Sequence, residues 1–182
     1  MRLVETSLKD AYQIDLIPKE DHRGAFCRLF CTEFLAQHNI PETSFEQVNI
    51  SDNTAKGTLR GMHFQDSPHL EAKIIYCLHG SAYDVIIDLR SHSSTYLQHF
   101  SMVLTQEKPC ALYIPKGFAH GFLTLQANTR LLYLMSASYK PGFERGYRFD
   151  DPAFGITWPF MPSVISERDQ LYSPYEHTNA IC

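Results

Sequence analysis

Polar side chains that could do chemistry are densest in QVNISDNTAKGTLRGMHFQ, residues 47–65. Gln47, Asn49 and Ser51 alternate there, so a strand would place all three side chains on one face. Such a face is either a solvent-exposed edge of a sheet or the polar wall of a binding site. The alternation by itself leaves both interpretations open.

Arg60 and His63 follow in the same segment, on either side of Gly61. Histidine is the side chain most often used for proton transfer near neutral pH, and arginine makes paired contacts with phosphate. The two residues have opposite strand parity. They can therefore face one cavity only if the chain bulges or bends near Gly61.

Lys73 opens the apolar segment KIIYCLHG, residues 73–80, on the same strand face as Ile75 and Cys77. A lysine that faces inward among apolar neighbours costs free energy unless it meets an anion. The alternative is a lysine at a strand end whose ammonium group reaches out to water. Taken alone, this segment favours the second interpretation.

His120 completes the pattern P-x-G-x-x-H in IPKGFAHGF, residues 114–122. This pattern is typical of the second metal-binding half-motif of cupin barrels, with the histidine as a ligand. The first half-motif requires H-x-H, which does not occur in the sequence, so a transition-metal centre would lack two or three ligands. We therefore expect a barrel without a metal, in which His120 is either a polar wall of the site or a hydrogen-bonded core residue.

Tyr133 and Asp169 also have two interpretations each. A tyrosine in a core strand more often packs with a satisfied hydroxyl group than acts as an acid. Asp169 lies in SERDQ, where a lone aspartate most simply indicates a helix start or a turn. Neither residue predicts catalysis in isolation.

Short apolar or alternating segments, separated by turn residues, must position these side chains. The predicted strands cover residues 73–80, 82–89, 99–105, 110–114 and 130–136, and the predicted helix covers residues 31–38. Many short strands at near-regular spacing predict an all-β fold, an antiparallel jelly-roll sandwich or barrel with few short helices. Residues 171–182 have no periodic pattern and are expected to form a loosely held tail.

Length and composition limit the number of domains and the class of protein. A length of 182 residues predicts one domain, and 44% hydrophobic with 20% charged residues is globular. A net charge of −4 gives no basic field for nucleic acid, and no signal peptide or membrane span is recognisable. The five cysteines form no C-x-x-C pair, so we expect free thiols in a reducing cytoplasm.

A set of motifs runs in one order over about residues 1–170. They are DHRGAF (21–26), QVNIS (47–51), GTLRGMHFQ (57–65), DVIIDLR (84–90), IPKGFAHGF (114–122), FDDPAFGITWP (149–159) and ISERD (165–169). Many separate motifs in a single order are far more specific than any one of them. On these motifs the chain resembles the dTDP-4-dehydrorhamnose 3,5-epimerase family of nucleotide-sugar epimerases.

The resemblance implies a metal-free, cofactor-independent cupin jelly roll that works as a homodimer with exchanged N-terminal segments. It implies catalytic roles for four residues: His63 as base, Asp169 as its orienting carboxylate, Tyr133 as acid and Lys73 near the ketone. It implies substrate contacts from a further set: Arg23, Phe26, Gln47, Asn49, Arg60, His120, Tyr139, Glu144 and Arg168. Of these, Arg23 and Phe26 would serve the nucleotide end of a partner subunit's site.

The chemistry fits this assignment. A proton on a carbon beside a ketone becomes acidic only if the enolate is stabilised, and the Lys73 ammonium would supply that stabilisation. His63 would remove the proton, with Asp169 fixing its tautomer. A tyrosine across the cavity would return a proton to the opposite face, so Lys73 and Tyr133 would both face the cavity.

The sequence departs from the family pattern at several positions. The pattern D-x-R-G-x-F-x-E ends here on Arg28, a charge reversal that leaves the nucleobase of the substrate open. Leu70-Glu71 replaces the usual Ala-Gln pair, and STYLQHF (94–100) lacks the usual Trp. Inversion at C3, at C5 or at both stays possible. So do a ketoisomerase using a different nucleotide, a non-catalytic sugar-binding cupin and a metal-dependent cupin oxygenase.

Overall fold

A computed structural model describes residues 1–42 and 44–176 of the chain, and β-strand is their main regular secondary structure. The strands are β1 Arg2–Glu5, β2 Tyr12–Asp15, β3 Lys19–Asp21, β4 Gly24–Phe26, β5 Gln47–Asn53, β6 Thr58–Gln65, β7 Lys73–His79, β8 Ser81–Asp88, β9 His99–Thr105, β10 Cys110–Ile114, β11 Phe118–Thr124, β12 Thr129–Met135, β13 Glu144–Gly146 and β14 Val164–Ile165. The helices are α1 Thr32–Gln37 and α2 Glu167–Gln170.

Two sheets form the body of the molecule. One has the strand order β1-β2-β10-β7-β12-β5, and the other has the order β13-β6-β11-β8-β9 with β14 added in parallel to β6. Every other pairing between these strands is antiparallel. The all-β, antiparallel jelly-roll architecture predicted from the sequence is confirmed.

The main core lies between the two sheets, and strand β8 shows why the sequence folds this way. Ile86 of β8 is fully buried in the cluster between the sheets, together with Ile75 and Leu112 of the opposite sheet. Val85 and Ile87 point the other way and are covered by a second apolar cluster. Because both faces of β8 are covered here, Val85–Ile87 is a continuous apolar run and not an alternating one.

The predicted elements are confirmed with small shifts at their ends. Strands β9 and β10 have the predicted bounds, β7, β8 and β12 differ from the prediction by one residue at one or both ends, and the helix is α1. The N-terminal strands β1 to β4 were not predicted, and neither were β6, β11, β13 and β14. Strands β1 to β4 are only three or four residues long, which is too short for a clear period in the sequence.

The expected loose tail differs from what the structure shows for residues 171–176. The Tyr172 ring lies edge-on to His63 with 5.9 Å between ring centroids. The Tyr175 N–H donates to Asp151 at 2.6 Å, and its hydroxyl group is hydrogen-bonded to Tyr96. Aromatic packing therefore anchors this segment, and residues 177–182 lie outside the described residues. None of the helices in the described part of the chain has the length and apolar character needed to cross a membrane.

Candidate active site

A cavity of about 390 Å³ opens between the two sheets. Strands β5, β6, β7, β11 and β12 contribute its walls, and the β13 region and α2 contribute its rim. Ten of the thirteen residues to which the family resemblance assigns a role line it: Gln47, Asn49, Arg60, His63, Lys73, His120, Tyr133, Tyr139, Glu144 and Arg168. The structure thus brings together side chains from positions spread over more than a hundred residues.

A bulge in β6 places Arg60 and His63 on the same cavity. His63 pairs with His120 of β11, but Arg60 pairs with Phe122, so two residues of β6 stand opposite Gly121. Gly61 has φ +136°, and a Cβ atom there would lie 2.4 Å from the Gly121 Cα atom. Only glycine can form this contact, and the bend near Gly61 that the strand parity required is confirmed.

His63 is hydrogen-bonded to Asp169, with 2.7 Å between Nε2 and Oδ1. The Gly61 N–H donates to the other carboxylate oxygen at 3.2 Å, and the Asp169 N–H donates to the Ser166 hydroxyl at the start of α2. Asp169 is 3% exposed. Burial alone would raise its pKa, but the hydrogen bonds and charge of His63 and the Gly61 N–H outweigh burial and lower the pKa.

The ionised Asp169 determines which nitrogen of His63 holds a proton. A carboxylate can only accept hydrogen bonds, so the His63 Nε2 atom must be the donor. Nδ1 then holds the lone pair and is the nitrogen that can take up a further proton. The side chain of His63 is 42% exposed, and it lines the cavity.

His120 forms the wall beside His63 and is paired with Asp84 of β8. Its Nε2 atom lies 2.9 and 3.0 Å from the two carboxylate oxygens. The side chains of His120 and Asp84 are 5% and 0% exposed. Both interpretations of His120 from the sequence are therefore correct, because this residue lines the cavity and is also a hydrogen-bonded core residue.

Tyr133 lies on β12, between Asn49 of β5 and Ile75 of β7, and it lines the cavity. Burial, reinforced by the nearby Asp84 charge, raises its pKa well above the ordinary value, although Arg60 acts in the opposite direction. The hydroxyl group therefore keeps its proton at neutral pH. Its ring lies 5.9 Å from that of His120.

Lys73 is 6% exposed, so the interpretation that its ammonium reaches out to water is wrong. Its Nζ atom donates to the His63 carbonyl oxygen at 3.2 Å and lies 3.1 Å from Glu71 Oε1. A carboxylate supplies the anion that an inward-facing lysine needs. Glu71 lines the cavity, and sequence reasoning noted it only as a departure from the family pattern.

The rim of the cavity is a chain of hydrogen bonds. The Gln47 side-chain amide donates to Asn49, and its carbonyl oxygen accepts from the Tyr139 N–H, both at 3.0 Å. The Tyr139 hydroxyl donates to Glu144 at 3.0 Å, and Arg168 lies 3.7 Å from the same carboxylate. These contacts hold polar groups at the entrance in fixed positions.

Tyr172 is a cavity residue that sequence reasoning missed. It lies in the aperiodic segment 171–182, where a single tyrosine gives no signal of a site. The Tyr172 ring packs edge-on against His63 and lies under the Arg168 guanidinium group. It therefore belongs to the surroundings of the His63 imidazole.

Arg23 and Phe26 do not reach this cavity. They lie on the exposed β3–β4 hairpin, where Arg23 pairs with Asp21 at 2.6 Å and Phe26 is 73% exposed. Phe26 lines a separate surface groove together with Arg28. Their implied place in a partner subunit's site stays a prediction.

No three His, Cys, Asp or Glu side chains within residues 1–42 and 44–176 are grouped so that they could hold a metal ion. What the cavity does hold is an acceptor nitrogen on His63, a buried cation at Lys73 and a protonated hydroxyl group at Tyr133. Together with the antiparallel double sheet, this arrangement defines a cupin-type jelly roll equipped for proton transfer.

The chain belongs to the dTDP-4-dehydrorhamnose 3,5-epimerase family, because the model of that family matches residues 5–177. The family identification from sequence motifs is thereby confirmed. The dTDP-4-dehydrorhamnose 3,5-epimerase of Sinorhizobium fredii is 41% identical over 150 residues, which cover 82% of this chain and 76% of that protein.

Solved structures give the same result. The crystal structure of dTDP-4-dehydrorhamnose 3,5-epimerase from Elizabethkingia anophelis superposes with a TM-score of 0.92 at 34% identity, covering 99% of this chain and 98% of that one. A 3,5-epimerase from Legionella pneumophila in complex with dTDP-4-keto-L-rhamnose superposes with a TM-score of 0.86 at 32% identity, covering 92% and 89%.

Proposed function

We propose that this protein is an isomerase that epimerises a dTDP-linked 4-keto-6-deoxyhexose at C3, C5 or both, next to the ketone. The observation that carries the proposal is the His63–Asp169 pair, whose Nε2···Oδ1 distance of 2.7 Å leaves Nδ1 as the basic nitrogen of a ring that lines the same cavity as Lys73 and Tyr133. The Legionella relative, which binds dTDP-4-keto-L-rhamnose, supports this substrate class.

In the first step, His63 Nδ1 removes the proton from the carbon beside the ketone. The electron pair of the broken C–H bond moves onto the ketone oxygen, where the Lys73 ammonium stabilises the enolate. Asp169 stabilises the imidazolium that forms, because the negative charge of a buried carboxylate attracts the positive charge of its partner. The substrate's own ketone is the electron sink, so no cofactor takes part in this scheme.

In the second step, the enolate carbon takes the proton of the Tyr133 hydroxyl from the opposite face, and the C=O bond forms again. The configuration at that carbon is inverted. Solvent then returns a proton to the tyrosinate and removes one from His63, so the protein ends the cycle unchanged. The position of Tyr133 on the cavity wall supports this role, and its hydroxyl is protonated before the enolate forms because its pKa lies well above the ordinary value.

Substrate binding is proposed for the polar wall and rim of the cavity. Arg60 is held by a hydrogen bond from its Nε to Asn53 at 2.9 Å, which orients the guanidinium group that would contact the diphosphate. His120 and the rim residues would contact the sugar and its linkage: Gln47, Asn49, Tyr139, Glu144 and Arg168. The cavity volume of about 390 Å³ suits one sugar ring with part of its diphosphate.

We further propose that the chain works as one domain in a cytoplasmic homodimer with exchanged N-terminal segments. The exposed Phe26 and the unburied β3–β4 hairpin support this, since a partner's site would cover them. Free thiols at Cys27, Cys31, Cys77 and Cys110 suit a reducing compartment. The product would supply deoxysugars for polysaccharides such as lipopolysaccharide.

Incubation with dTDP-4-keto-6-deoxyglucose in D₂O tests the proposed reaction. We expect deuterium at C3, C5 or both, with inversion there, read by proton NMR. A parallel incubation with the UDP-linked sugar tests the nucleobase, which Arg28 leaves open. Absence of exchange with either nucleotide sugar would contradict the proposed function, whereas faster exchange of the UDP sugar would keep the reaction and correct the nucleotide.

A further inference from the structure

Glu71 is a buried carboxylate that the proposed mechanism does not use. It lies two residues before Lys73, the first residue of β7. Its side chain is 4% exposed, and it lines the cavity. Its Oε1 atom lies 3.1 Å from the Lys73 ammonium nitrogen. Its Oε2 atom is buried, and no hydrogen-bond partner for it exists among the described residues.

The ion pair with Lys73 accounts for only one of the two carboxylate oxygens of Glu71. The ion pair engages Oε1, and the Lys73 ammonium also donates to the His63 carbonyl oxygen. A buried charged oxygen without a donor costs several times the free energy of an ordinary hydrogen bond. The neutral alternative, a glutamine, would satisfy Lys73 with its carbonyl oxygen and would leave no charged acceptor beside Lys73.

We propose that Glu71 is a specificity-determining residue of the sugar site and that its Oε2 atom accepts a hydrogen bond from the C3 hydroxyl of the 4-keto sugar. This inference rests on the proposed function, in which Lys73 holds the ketone oxygen at C4. Glu71 is the immediate neighbour of Lys73 in the cavity, so it meets a substituent one carbon away from the ketone.

The chemistry of the sugar selects between the two neighbouring carbons. C5 bears the ring oxygen and a methyl group, and neither can donate a hydrogen bond. C3 bears a hydroxyl group, which can donate to a carboxylate. Glu71 Oε2 therefore accepts a hydrogen bond from the C3 hydroxyl. This contact orients the ring with C3 toward β7, because the opposite orientation would leave Oε2 without a donor.

Substrates with and without the C3 hydroxyl provide the test. We compare deuterium exchange at C5, which both substrates can undergo, for dTDP-4-keto-6-deoxyglucose and its 3-deoxy analogue. In the wild type, loss of the hydroxyl should lower kcat/KM about 10- to 100-fold, as expected for a hydrogen bond to a charged group. In Glu71→Gln this preference should fall about tenfold, and in Glu71→Met it should approach unity.

Controls separate a direct contact from damage to the fold. Glu107→Gln makes the same charge change at an exposed turn and should keep the wild-type preference. Binding of dTDP alone should be equal in the wild type and Glu71→Gln within about twofold, because the proposed contact is to the sugar. Thermal unfolding of each variant confirms that the fold is intact.

The outcomes are distinguishable. An unchanged preference for the C3 hydroxyl in Glu71→Gln and Glu71→Met, with normal C5 exchange, would overturn the role of Glu71 and leave the epimerase function standing. Parallel loss of dTDP binding would show a structural effect and would also overturn it. If the wild type exchanges no deuterium at any carbon of either substrate, the proposed function itself fails.

Discussion

Two histidine–aspartate pairs lie side by side, with both histidines on the cavity wall, because His63 of β6 and His120 of β11 are register partners. In the first pair, the side chain of His63 is 42% exposed and meets one oxygen of Asp169 at 2.7 Å. In the second pair, His120 is 5% exposed and meets both oxygens of Asp84, which is fully buried.

The same two residue types therefore serve different purposes. The exposed part of His63 lines the cavity, where a ligand can reach it, while the Asp169 carboxylate behind it has one further donor, the Gly61 N–H. His120 is the only hydrogen-bonding partner found for the Asp84 side chain in the described part of the chain, so its main energetic role is to satisfy that buried charge. Position relative to solvent separates a proton-transfer pair from a structural pair.

The largest expected effect is on catalysis at the first pair. His63→Asn should lower kcat by about 10²- to 10⁴-fold, because the base is lost while the amide can still donate to Asp169. Deuterium incorporation and NMR-detected turnover measure the loss. Urea denaturation should show an unfolding free energy within about 1 kcal/mol of the wild type, as expected for a half-exposed side chain. Turnover at the wild-type rate would place the base elsewhere.

The second pair should respond in stability. His120→Ala leaves the buried Asp84 carboxylate without its partner, which should lower the unfolding free energy by about 3–5 kcal/mol. The matched variant is His63→Ala, in which Asp169 still accepts a hydrogen bond from the Gly61 N–H. The loss of unfolding free energy should therefore be clearly smaller. Equal stability losses in the two variants, measured by urea denaturation, would remove the distinction between the pairs.

A third change tests the bulge that aligns the two pairs. Gly61→Ala should lower the unfolding free energy by at least about 2 kcal/mol, because the new Cβ atom meets the Gly121 backbone. Gly155→Ala is the control, since Gly155 has φ +60° and a Cβ atom added there would have no atom within 4 Å beyond its chain neighbours. A loss no greater than that of Gly155→Ala would show that β6 and β11 can separate at little cost.

The smallest effect is the pH dependence of the His63–Asp169 pair. The pKa of Asp169 is lowered in the folded protein, so its contribution to stability is present at neutral pH and is lost as pH falls below the ordinary aspartate value of about 3.9. The unfolding free energy of Asp169→Asn should lie on the order of 1.5 kcal/mol below that of the wild type at pH 7. The difference should shrink at pH 3, and a constant difference would contradict the lowered pKa.

Much of this architecture could be predicted from the sequence. Strands such as β9 and β10 were predicted with their bounds because period and turn residues are local properties. The bulge at Gly61 was predicted because the parity of Arg60 and His63 allows no other common face. The family motifs then predicted that Lys73 and Tyr133 face the cavity, which the structure confirms.

Other features could not be predicted. Asp84 and Glu71 were not recognised as the partners of His120 and Lys73, because each pairing depends on strand register and on side-chain direction inside the cavity. Tyr172 was assigned to the tail, since packing against His63 leaves no trace in the local pattern. Short edge strands such as β1 have too few residues to show a period.

The amino-acid sequence by itself determined five of the longer strands, the need for a bend near Gly61 and the family, because hydrophobic period, strand parity and motif order are local properties of the chain. The tertiary structure alone decided which of two similar histidine–aspartate pairs has access to the cavity and that one oxygen of Glu71 has no partner among the described residues. Burial and hydrogen-bond satisfaction belong to the packed arrangement of distant segments, so neither can be read from neighbouring residues.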